Sequence, residues 1–174
     1  MSNKEALREL QVRLAQRLQA VREQPREAGW LAVECAGAGV LLPLAQAGEI
    51  HSERTLTQVP HAADWMAGVA NLRGHLHTVV DLACFLGLRG PGPSPAGSQL
   101  VVLNTSLHVN CALRVDRLMG LRDPSVLTRS PEDSTVSRPA FAGAAWQDPA
   151  GRRWQELNLA AMAEDPRFLD VAAA

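Results

Sequence analysis

From Trp30 onward the apolar residues recur at every second position in short runs, and turn-forming residues interrupt those runs at intervals of roughly 8–12 residues. Alternation sends successive side chains to opposite faces of an extended backbone, so each run is expected to be a strand with one buried face. Leu31, Val33 and Cys35 alternate against Trp30, Ala32 and Glu34, and Gly37-Ala38-Gly39 is the expected turn into Val40-Leu41-Leu42. Pro43 cannot donate to a ladder, which places the end of that second strand at or near a sheet edge. The clearest pair is Gln99-Leu100-Val101-Val102-Leu103, a polar turn at Asn104-Thr105-Ser106, and then Leu107, Val109, Cys111, Leu113 and Val115. The residues between them, His108, Asn110, Ala112, Arg114 and Asp116, are expected on a solvated face. Short, frequently punctuated strands favour small barrels over a sandwich of long strands.

Residues 59–88 read as one structural unit. A strand-like run reaches Asn71, whose side chain favours tight turns, and Gly74 closes the turn at no steric cost. Arg73 is thereby held out at a loop tip. Leu76, Val79 and Val80 resume strand character, and Asp81 is placed to cap a short helix whose apolar residues Leu82, Phe85 and Leu86 end at Gly87. The Gly- and Pro-rich stretch 90–97 is an expected loop, and residues 123–139 an extended surface connection. Asp148-Pro149-Ala150-Gly151 makes a turn between Ala144-Ala145-Trp146 and Arg153-Trp154-Gln155, before a closing helix through Leu157, Leu159, Ala160, Ala161 and Met162 that stops at Pro166.

The first segment has a different period. Leu7, Leu10, Leu14, Leu18 and Val21 recur every three or four residues, Ser2 and Glu5 have capping-box spacing, and Pro25 stops the pattern, which predicts an amphipathic helix over residues 1–24. Its apolar stripe is suited to the protein's own body, to a partner helix, or to self-association with a second copy. A formal net charge of -1 with 20% charged residues does not imply nucleic acid. No window approaches the length of a membrane span, and charged residues occupy the start where a signal peptide needs an apolar core, so the expected compartment is the cytoplasm.

Catalytic chemistry finds little footing. His75 and His77 share a strand face, but a bound zinc needs further ligands, and the nearest carboxylate, Asp81, is better used as a helix cap. Cys111 with His108, or Cys84 with His77, would make a nucleophile pair only in an electropositive, accessible setting, whereas Cys35, Cys84 and Cys111 all lie among apolar or small residues. Walker-type phosphate loops, Gly-x-Ser-x-Gly elbows and His-Glu-x-x-His motifs are absent from the sequence. The prolines of 90–97 remove the N–H groups that would cradle an anion.

The ordered series Leu42-Pro43-Leu44, Glu49-Ile50, Val59-Pro60, Trp65, Asn71-Leu72-Arg73-Gly74, Asp81-Leu82 and Leu113-Arg114-Val115-Asp116-Arg117-Leu118-Met119-Gly120 resembles the CheW-like family, the coupling proteins of bacterial chemotaxis-type signalling. The N-terminal stripe, the Asp148 turn and the Pro166-Arg167-Phe168-Leu169 tail look most like its PilI branch, which serves type IV pilus twitching motility. The resemblance implies a mainly β fold over residues 26–171: two small five-stranded SH3-like barrels packed around a shared core, with a C-terminal helix. It also implies an adaptor without enzymatic activity or cofactor, holding a CheA-type histidine kinase beside the cytoplasmic tip of a methyl-accepting receptor and recruited to membrane receptor arrays.

Carried onto this sequence, the receptor-facing groove would use Gly68, Arg73 and Gly74, with Ala47, Glu49 and Ile50 opposite and Asn71 fixing the loop. Asp116 and Arg117 mark a second strand end that would face the kinase. Two departures from the family stand out: Thr78 occupies a position where proline is common, and His75 and His77 replace residues that are more often apolar, which makes the local surface open to pH sensitivity. A module that binds the kinase alone, and a small metal- or thiol-dependent enzyme, remain the alternatives.

Overall fold

The computed structural model describes residues 29–52, 54–131 and 137–172. The helix expected over residues 1–24 lies outside them. The described chain is mainly β, with strands β1 (Trp30–Cys35), β2 (Ala38–Pro43), β3 (Ala47–Ser52), β4 (Met66–Leu72), β5 (His75–Asp81), β6 (Gln99–Leu103), β7 (Cys111–Val115), β8 (Arg117–Arg122), β9 (Thr128–Arg129), β10 (Ala142–Gln147) and β11 (Arg153–Leu157). Three short helices accompany them: α1 (Leu82–Phe85), α2 (Leu159–Ala163) and α3 (Pro166–Leu169).

Two sheets result, one in the order β8-β1-β2-β11-β10-β9 and the other in the order β3-β6-β7-β5-β4. The chain begins in the first sheet, crosses to the second for β3 to β7 and returns to the first, so the second sheet is one contiguous segment inserted between the two parts of the first. A shared core lies between them. Leu31, Val33 and Leu42 of the first sheet meet Leu113 and Val115 of the second, with Phe168 of α3 alongside. Each sheet also buries its other face: Trp30, Ala32, Leu41 and Trp154 cluster behind the first, and Ala70, Leu72, Val79, Leu100 and Ala112 behind the second. This is the expected arrangement of two subdomains around a common core. The strand count and closure differ from expectation, because two-residue β9 adds a sixth strand to the first sheet and, among the described residues, no ladder joins β8 to β9 or β3 to β4.

Local chemistry explains where elements begin and end. The β1–β2 turn is Ala36-Gly37, both with positive φ (49° and 81°), the two-residue geometry whose twist suits a hairpin. Gly39, expected in that turn, lies instead inside β2 for a packing reason: a Cβ there would sit 2.8 Å from the Arg153 carbonyl oxygen and 2.8 Å from the Trp154 ring of the neighbouring β11. β2 is interior rather than an edge, and Pro43 is tolerated because β11 pairs only with Gly39, Val40 and Leu41.

β7 departs most from its sequence pattern. It is shorter than the alternation suggests, and all five of its residues are buried, Ala112 and Arg114 included. β7 lies between β6 and β5, and each of its faces is covered: Cys111, Leu113 and Val115 join the shared core, and Ala112 the cluster behind the second sheet. Leu107 falls in a 3-10 turn whose cap is Asn104, accepting from the Ser106 N–H at 2.9 Å. The closing helix divides in two. Asn158 caps α2, and Pro166 starts α3 rather than only ending α2, since its missing N–H costs nothing in a first turn.

Candidate functional site

Leu72 pairs with His75 across the β4–β5 hairpin, leaving Arg73-Gly74 as a two-residue loop with φ of 51° and 88°. Asn71 stabilises it by accepting the Gly74 N–H at 2.8 Å. The Arg73 side chain is 73% exposed and donates from Nη1 to Oε1 of Glu49 at 2.8 Å. Glu49 belongs to β3 and Arg73 follows β4, the strands at opposite ends of the five-stranded order, so the sheet curls until side chains meet where the backbone ladder does not. The second Glu49 oxygen lies 3.2 Å from Nε2 of His51.

Behind this bridge lies a groove of about 580 Å³. Leu72, Val102 and Leu103 contribute its apolar wall, while Glu49, His51, Arg73, His75 and His77 supply its charged and titratable groups. His77 Nδ1 is 3.0 Å from the His75 carbonyl oxygen, an acceptor, so Nδ1 donates and Nε2 is the nitrogen that can accept. His51 was not singled out by the sequence, although its i, i+2 spacing from Glu49 puts both on one strand face.

The remaining expected site residues divide. Ala47 packs toward the shared core, and Ile50, 43% exposed, pairs with Val101 on the face opposite Glu49. Gly68 is buried in β4 at a bulge with φ of 136°, where a Cβ would stand 2.5 Å from the Thr57 carbonyl oxygen; it permits the Thr57–Val69 bridge rather than lining the groove.

Asp116 and Arg117 sit elsewhere, where β7 leaves the second sheet for β8. Asp116 accepts the Ala36 N–H at 2.7 Å and the Arg89 Nη1 at 2.7 Å, while Arg117 is exposed. Arg89 also reaches Asp81 at 2.7 Å, and Arg114 of β7 donates to the same Asp81 oxygen at 2.5 Å. A chain of ion pairs thus runs from the centre of one sheet to the hairpin turn of the other. Burial by itself pushes the Asp81 carboxyl up, but hydrogen bonds from Arg114, Arg89 and the Cys84 N–H together outweigh it and hold the group below its ordinary value. Arg89 is correspondingly raised: burial opposes its charge, and the two aspartates overcome that. Asp81 is therefore both the α1 cap foreseen from sequence and the anchor of two arginines.

Burial pushes the Cys35 thiol up to about 12, with the Asp116 and Asp81 carboxylates adding to it, and burial alone takes Cys111 to about 12. Cys84 is raised too, by burial first and then by Asp81 and Asp64. Thiols so placed carry negligible thiolate near neutral pH. Among the described residues no group of three or more His, Cys, Asp or Glu side chains is placed to share a metal ion, and none of the helices is long and apolar enough to cross a membrane.

The family model for the CheW-like domain matches residues 29–167. This chain belongs to the CheW-like family. A relative, Protein PilI of Pseudomonas aeruginosa, is 32% identical over 164 residues, covering 92% of this chain and 89% of the relative. Among solved structures, the scaffolding protein TtCheW of Thermoanaerobacter tengcongensis matches with a TM-score of 0.63 at 19% identity, over 79% of this chain and 88% of that one, which supports the CheW-like fold. The Arg73 hairpin, the ion-pair chain and all the named residues of the shared core except Phe168 fall within the span that the CheW-like model matches.

Proposed function

We propose that this chain is a non-enzymatic adaptor that couples a CheA-type histidine kinase to the cytoplasmic tip of a methyl-accepting receptor, in a chemotaxis-like pathway controlling type IV pilus twitching motility. Membership of the CheW-like family and the likeness to PilI support an adaptor in that setting. The observation that carries the reading is the Arg73–Glu49 bridge: a guanidinium displayed on a two-residue turn beside an apolar-walled groove. A guanidinium fork that is already preorganised recognises carboxylates and backbone carbonyls of a helical partner at small entropic cost.

In this reading the receptor tip meets the groove between β3 and the β4–β5 turn, with Asn71 and Gly74 holding Arg73 in place and Ala47, Ile50 and Gly68 shaping the strands behind it. The kinase meets a separate surface at β8, whose first residue Arg117 is exposed while Asp116 fixes the strand end from within. The protein then works in the cytoplasm at receptor arrays, without cofactor or metal.

Binary binding tests the proposal. Purified chain is expected to bind immobilised receptor cytoplasmic fragment and, separately, the kinase regulatory domain. Binding to the kinase with none to the receptor would replace coupling by a kinase-only regulatory role.

A further inference from the structure

The groove holds three imidazoles from two strands that are not neighbours in the sheet: His51 on β3, and His75 and His77 on β5. The charged groups sharing it are Glu49 and Arg73, which cancel, so with neutral imidazoles the groove has no net charge. Its other polar lining, Asn104, Thr105 and Asn110, is uncharged. From the adjacent β6, Leu100 stands opposite His51 and brings no charge.

The hydrogen bonds determine where protons would enter. Glu49 accepts only, so His51 Nε2 donates to it and Nδ1 is the nitrogen that takes up a proton. His77 Nδ1 donates to a carbonyl, leaving its Nε2 for the same step. The His51 side chain is only 11% exposed, so a charge acquired there is poorly screened. His51 and Arg73 hold different Glu49 oxygens, Oε2 at 3.2 Å and Oε1 at 2.8 Å, so a proton on His51 adds positive charge beside Arg73 without displacing it.

We propose that this groove is a proton-gated docking site for an acidic partner segment: protonation of His51, His75 and His77 turns it from neutral to positive beside the exposed Arg73, which meets the partner's carboxylates. Imidazole is the side chain whose ordinary charge change falls within the physiological pH range. The proposal rests on reading the groove as the receptor-docking surface, and it adds a regulation of that surface by pH together with the acidic chemistry of its occupant.

The test uses a glutamate homopeptide as probe, followed by NMR at low ionic strength on the full chain. At about pH 6 the peptide is expected to give saturable shifts at His51, His75, His77 and Arg73, and roughly tenfold weaker binding at about pH 8. The triple variant H51N/H75N/H77N, whose amides keep polarity without the charge, is expected to show equally weak binding at both. Equal affinity of the native chain at the two pH values, or an undiminished pH dependence in the triple variant, would overturn the proposal. Should the triple variant misfold, H75N/H77N, altered only on the β5 hairpin, serves the same comparison with a reduced pH effect expected. Repeating the titration with receptor fragment separates the two claims: proton-linked peptide binding without receptor binding retains the gate and removes the receptor, and pH-independent receptor binding does the reverse.

Discussion

Arg73 Nη1 lies 2.8 Å from Glu49 Oε1, and this contact joins β3, at one end of the five-stranded order, to the turn that follows β4 at the other. Both side chains are more than half exposed, so the pair contributes at most about 1 kcal/mol to folding. Replacing Arg73 with Glu is expected to lower stability by no more than about that amount, measured by urea unfolding. A larger loss would make Arg73 a structural residue rather than a displayed one.

Asp81 behaves in the opposite way because it holds Arg114 and Arg89 together inside the molecule. Asp81→Asn is expected to cost about 3 kcal/mol, since it leaves two desolvated guanidiniums without their shared carboxylate. The pH dependence has a definite sign. The native carboxyl is held below its ordinary 3.8, so ionised Asp81 stabilises the fold above that pH, and the contribution is lost as pH falls through the lowered native value. Tm followed from about pH 5 down to pH 2 should therefore fall less steeply for Asp81→Asn than for the native chain.

The thiols offer a direct check on covalent chemistry. With Cys35 and Cys111 pushed up to about 12, neither is expected to react with a thiol reagent at about pH 8 in the folded protein. Cys84, raised but less enclosed, should react slowly. All three should react once the chain is unfolded in guanidinium. Fast stoichiometric modification of folded Cys35 or Cys111 would revive the thiol-enzyme alternative.

Gly68 and Gly74 have positive φ for different reasons, and substitution separates them. Gly74→Ala meets open space and carries only the left-handed backbone cost, about 1 kcal/mol. Gly68→Ala adds a 2.5 Å collision with the Thr57 carbonyl oxygen, and about 2–3 kcal/mol is expected by urea unfolding. Equal costs at the two positions would mean that the β4 bulge relaxes freely.

Much of the architecture was legible because it is written in local chemistry. Alternation located β1, β6 and the centre of β7, Asn71 and Gly74 marked the hairpin, and Asp81 was recognisable as a cap. Features that depend on distant neighbours were hidden. Nothing local distinguishes a Gly needed for a turn from Gly39, which is required by the Trp154 ring more than a hundred positions away. The alternation through Arg114 read as a wet face because periodicity cannot reveal that Asp81 and Arg89 wait to pair with it. At the candidate site, the Arg73 turn was visible from sequence, whereas His51 acquired meaning only when the curl of the sheet brought β3 to Arg73. Asp116 was foreseen at a strand end, yet its carboxylate is engaged with Arg89 and Ala36 of the same chain.

Co-sedimentation of kinase with receptor-bearing membranes tests coupling most directly. Kinase should pellet with the membranes only when this chain is added, and an equal amount of folded Arg73→Glu should leave most of the kinase in the supernatant. Kinase that pellets equally well with the native chain, with Arg73→Glu and with no addition would contradict the adaptor role.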